Sequence, residues 1–134
     1  MVADLCGFGA LTDTRGDHVA ATVALRFTAV ARLAFGRRVR IVNTMGDAVL
    51  AVAATDADAL AGARRLVSAV AADPGLPPVH VGLATGPVVW RRGDVFGATV
   101  NRAARLAEEA EPGEIRTDGA GVTRVPVLAS LRDH

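Results

Sequence analysis

Val19, Val23, Phe27 and Val30 recur at near-helical spacing, after Gly16-Asp17 and before Gly36. Apolar residues three or four apart share one helix face, so the spacing predicts a helix from Asp17 to Phe35. A second stripe, Leu60, Ala63, Val67 and Val70, predicts a helix over 56–72, and Pro74 stops it near Asp73. Between them, residues 38–43 and 48–54 read as two strands joined by Thr44-Met45-Gly46-Asp47, a hairpin signal with Gly in the turn. Val79, Val81 and Leu83 alternate as a strand, Gly86-Pro87 interrupts it, and Val88-Val89-Trp90 begins another. Residues 2–6 read as the end of a short strand, 98–110 as a third helix and 113–117 as a last short strand.

This order predicts an α+β fold. Its core is a ferredoxin-like βαββαβ unit followed by an additional strand-helix-strand, with helices packed on a mostly antiparallel sheet. In such a unit the first strand lies antiparallel beside the third. The end of the first strand, at Asp4, should therefore approach the start of the third, at Asp47.

Composition narrows the classes. The 134 residues suit one domain over 1–134, with no internal repeat, and 51% are apolar while only 4% are aromatic. The core must then be built from small and branched side chains. The net charge of +1 comes without a concentrated basic run, so nucleic acid is not an expected partner. The aromatic-poor sheet also argues against an RNA-binding ferredoxin-like domain. One cysteine excludes an intramolecular disulfide. Apolar runs such as 48–54 fall short of the roughly 20 residues that span a bilayer, and the start lacks the pattern of a signal peptide. The expectation is a cytoplasmic protein with no membrane segment in this chain.

Candidate chemistry clusters in three places. Asp4 and Asp47 form a carboxylate pair that is costly without a cation between its members. Magnesium and manganese favour such oxygen ligands. The turn after Asp4, Leu5-Cys6-Gly7-Phe8-Gly9, has two glycines whose backbone N–H groups can approach a phosphate. Asp94-Val95-Phe96-Gly97 places a carboxylate and a tight Gly turn just before Asn101 and Arg105, which are four apart and share a helix face.

In order and spacing, Ala3-Asp4-Leu5-Cys6-Gly7-Phe8, Thr44-Met45-Gly46-Asp47-Ala48, the segment from Val79 to Val88, the segment from Asp94 to Arg105, and Pro112-Gly113-Glu114-Ile115 together resemble the catalytic domain of class III nucleotidyl cyclases, the adenylate/guanylate cyclase family. The resemblance runs from Val2 to about Thr117. It implies conversion of ATP to 3′,5′-cyclic AMP and pyrophosphate. Asp4 and Asp47 would hold two divalent ions, Mg²⁺ or Mn²⁺. Asn101 would orient the ribose, and Arg105 would neutralise charge on the transferring phosphoryl group. It also implies a head-to-tail homodimer with composite sites. Asp94 would meet the purine's six-substituent. A carboxylate only accepts hydrogen bonds, which suits adenine and not guanine.

The chain departs from the family at several points. Asn43 stands where adenylate cyclases carry a Lys against the base, and its amide can still donate to adenine N1. Gly9 replaces a hydroxyl residue. Both ends read as shortened, and Arg124 and Arg132 are weak candidates for a missing basic phosphate contact. These departures motivate an alternative: a catalytically impaired cyclase-homology domain serving as a nucleotide-binding or dimerisation regulatory module. Cys6, His18, His80, His134, Trp90 and the Arg37-Arg38, Arg64-Arg65 and Arg91-Arg92 pairs read as ordinary packing or surface residues.

Overall fold

The computed structural model describes residues 1–118 and 123–126. Its six-stranded sheet has the order β2-β3-β1-β4-β7-β8. These are β1 (Val2–Leu5), β2 (Val39–Met45), β3 (Ala48–Ala53), β4 (Val79–Leu83), β7 (Glu114–Thr117) and β8 (Thr123–Pro126). β5 (Val89–Arg91) and β6 (Asp94–Phe96) form a separate hairpin. Neighbours in the main sheet run antiparallel except β4 and β7, which are parallel. Arg124 lies in β8, where only the backbone is described, and Arg132 lies outside the described residues.

The two faces of the sheet have different chemistry, because successive side chains on a strand point to opposite sides. Ala3, Leu5, Val49, Ala51, Val79, Val81, Leu83 and Ile115 supply one face to the hydrophobic core. α2 (Asp17–Phe35) and α3 (Asp56–Ala71) close that face with Val23, Phe27, Ala31, Phe35, Ala63, Leu66, Val67 and Val70. By length and composition α2 is apolar enough to cross a bilayer, with a mean hydropathy of 1.3. This corrects the expectation that every apolar segment is too short. In this fold its stripe of Ala20, Val23, Phe27, Ala31 and Phe35 is buried as a core face.

The other face carries Asp4, Leu50, His80 and Gly82, and α4 (Ala98–Glu109) lies across it. Gly82 is what lets α4 come so close. A Cβ there would sit 2.1 Å from the Ala103 carbonyl oxygen and 2.4 Å from the Ala107 nitrogen.

The predicted helices and the main strands form, α2 with the expected bounds and most of the others with shifted ends. Three elements were absent from the pattern. α1 (Phe8–Arg15) buries no residue fully, so it has no apolar stripe to announce it. β6 is three residues long, and by sequence its segment reads as a tight Gly turn. β8 pairs with β7.

Candidate functional site

Asp4 and Asp47 meet because the backbone ties their segments together. The Leu5 N–H donates to the Asp47 carbonyl at 2.9 Å, which fastens the β2–β3 turn to the end of β1. Burial, followed by the adjoining Asp47 carboxyl, raises the Asp4 pKa from 3.8 to about 6. Asp47 acts both by sharing a proton and through its charge. Asp4 Oδ1 is buried and has no hydrogen-bond partner.

His80 is part of this cluster, although its sequence context reads as an ordinary strand residue. It pairs directly with Asp4 across β1 and β4. Its Nε2 lies 3.7 Å from Asp4 Oδ2, and its Nδ1 contacts the Ala107 carbonyl oxygen of α4. The signal was present in the register: once β1 and β4 pair antiparallel, His80 shares a face with Asp4.

The expectation of two divalent ions is corrected here. Asp4 and Asp47 converge as a pair. Among the described residues, however, no group of three or more His, Cys, Asp or Glu side chains is arranged to hold a metal ion. Below about pH 6 the pair limits its repulsion by retaining a proton on Asp4. The residues present do not fit a two-ion centre.

The glycine turn is narrower than the sequence implied. Gly7 alone is left-handed, at φ 68°, and serves as the N-cap of α1. Phe8 opens the helix and packs partly against the core, while Gly9 is its exposed second residue. The backbone N–H groups of this first turn have no partner within the helix.

Asn43 and Asp94 come together from distant elements. The Asn43 Nδ2 donates to Asp94 Oδ2 at 3.4 Å, and the Val95 N–H donates to Asp94 Oδ1 at 2.8 Å. A bulge at Val42 makes this possible. Ile41 faces Ala51, but Asn43 faces Leu50, so one extra residue switches Asn43 away from the core face. Asp94 belongs to a hairpin closed by Arg92 and Gly93, both left-handed at φ 53° and 78°. Arg91, Arg92 and Phe96 line an open groove beside it. Trp90 is half-exposed, with the Arg40 guanidinium 5.2 Å from its ring centre.

Asn101 and Arg105 stand exposed on the outer side of α4, while Thr99, Ala103, Leu106 and Ala107 are buried beneath. A cavity of about 360 Å³ opens at the opposite end of the sheet from Asp4. None of the expected site residues lines it.

The fold and the polar sheet face thus define an α+β domain with an acid pair, an Asn43–Asp94 amide–carboxylate pair and an outward Asn/Arg pair. No protein-family model matches the chain. An adenylate cyclase from Streptomyces griseus is 39% identical over 119 residues, which is 88% of this chain and 30% of that protein. The monomeric guanylyl cyclase domain of a RhoGC fusion protein from Blastocladiella emersonii superposes with a TM-score of 0.72. It is 22% identical, over 87% of this chain and 77% of that one. An adenylate/guanylate cyclase/hydrolase structure from Silicibacter pomeroyi gives 0.66 at 29% identity, over 87% and 72%. By sequence and fold together, the chain belongs with the class III nucleotidyl cyclase catalytic domains. It spans about 30% of the length of the curated relatives it matches.

Proposed function

We propose that this chain is a cyclase-homology domain that binds a nucleoside triphosphate, ATP by preference, and serves as a nucleotide-binding or dimerisation module with impaired catalysis. The observation that carries this reading is an imbalance. Asn43 and Asp94, the pair this reading assigns to the base, are hydrogen-bonded together, whereas the acid pair lacks further ligands among the described residues. Asp94 offers an acceptor and Asn43 a donor, which complements the amino group and ring nitrogen of adenine. Asn101 and Arg105 are exposed and free to meet ribose and phosphate. Their outward face also suits a head-to-tail second copy that would complete a composite site.

Titration calorimetry with ATP and GTP tests the proposal, alongside chromatography for cyclic AMP in a buffer containing divalent salt. ATP binding tighter than GTP, with little or no product, supports it. Absence of binding to either nucleotide refutes it. A second reading, cyclisation of ATP to cyclic AMP and pyrophosphate, is favoured by the relatives named adenylate cyclase and by the presence of Asn101 and Arg105. Sustained release of cyclic AMP that is lost in Arg105→Ala would put that reading first.

A further inference from the structure

α4 is fastened by a chain of hydrogen bonds that the sequence did not suggest. Arg102 Nε donates to Asp118 Oδ2 at 3.1 Å, and its Nη2 donates to the Thr85 carbonyl oxygen at 3.0 Å. The Thr85 N–H donates to Asp118 Oδ1 at 3.1 Å, and the Thr85 hydroxyl donates to Asp56 Oδ1 at 2.6 Å. One turn earlier the buried Thr99 hydroxyl donates to the Pro87 carbonyl at 2.7 Å. Four places in the fold are joined: α4, the residue after β7, the segment after β4, and the first residue of α3. Gly86 keeps that segment tight against the helix. A Cβ there would lie 2.6 Å from Thr99 Oγ1 and 3.1 Å from Arg102 Nη2.

We propose that Arg102 and Asp118 are positioning residues for nucleotide binding, setting the rotation of α4 so that Asn101 and Arg105 face one ligand together. The underside of α4 explains why such a device is needed. Of its buried side chains Thr99, Ala103, Leu106 and Ala107, only Leu106 is large, and the helix rests on the bare backbone of Gly82. Small side chains interdigitate little, so they resist rotation about the helix axis weakly. A guanidinium fork held by a carboxylate and a carbonyl has fixed geometry and does resist it. A side-chain tip about 6 Å from the axis moves about 2 Å for a rotation of about 20°. That displacement breaks a hydrogen bond. The proposal rests on reading α4 as the nucleotide-facing helix.

A double-mutant cycle read by ATP titration calorimetry tests it, with thermal melts confirming that each variant is folded. Arg105→Ala is expected to weaken ATP binding about tenfold. Asp118→Asn is expected to weaken it about fivefold in the parent chain, but less than about twofold in the Arg105→Ala background. A purely structural role would lower the melting temperature without this coupling. If Asp118→Asn does not fold, Arg102→Gln replaces it in the same cycle. Full additivity, or unchanged affinity in Asp118→Asn, overturns the positioning role while leaving α4 as the binding helix. Unchanged affinity in Arg105→Ala removes the reading of α4 itself, and the positioning role falls with it.

Discussion

Replacing Asp4 with Asn should stabilise this protein at neutral and alkaline pH. The native state holds the Asp4 proton up to about pH 6, because burial and the Asp47 carboxyl both disfavour the anion. An unfolded chain releases the same proton near pH 3.8. Between those values the folded form binds more protons, so stability falls as pH rises through this window. Below it, both states are protonated and the site makes no difference; above it, the penalty is complete. Each pKa step is worth about 1.4 kcal/mol, so a rise from 3.8 to about 6 sets a ceiling of about 3 kcal/mol. The Asp4 side chain keeps 32% exposure, and screening by solvent reduces the expected penalty to about 1–2 kcal/mol. An Asn side chain fills nearly the same space and carries no charge at any pH. Urea unfolding at a series of pH values from about 4 to 8 measures the difference. The variant should gain about 1–2 kcal/mol at pH 8, and its advantage should vanish towards pH 4. A variant no more stable than the parent at pH 8, or with an advantage independent of pH, would refute the reasoning.

Three further outcomes follow from the same packing and charge arguments. His80→Gln removes a positive charge that favours the Asp4 anion, so a carboxyl NMR titration should find Asp4 holding its proton to still higher pH; an unchanged or lower midpoint counts against the His80–Asp4 contact. Gly82→Ala forces a methyl into the α4 backbone and should cost about 3 kcal/mol, a drop of about 10 °C in Tm; an unaltered melt would mean that α4 does not rest on β4. Phe27→Ala empties the fully buried centre of the core and should cost about 3–5 kcal/mol in denaturant unfolding; a loss under about 1 kcal/mol would contradict that burial.

The periodic stripes determined α2 and α3, and the alternation of Val79, Val81 and Leu83 determined β4, because burying one face of a helix or strand imposes a repeat that linear order preserves. The Gly46-Asp47 turn and the antiparallel neighbourhood of β1 and β3 followed from connectivity, and they brought Asp4 to Asp47 as anticipated. The sequence pattern had no means of counting the ligands around that pair, since a metal centre depends on groups converging in three dimensions. Nor did it reveal the bulge at Val42. Strict alternation would have left Asn43 on the core side with Val39 and Ile41, and one unpaired residue turns it towards Asp94 instead. His80 and Arg102 find their partners only in the folded chain, one through strand register and the other in a carboxylate sixteen residues further along. Local repeats are written by local burial, whereas the meeting of polar side chains is decided by where the sheet and helices finally pack.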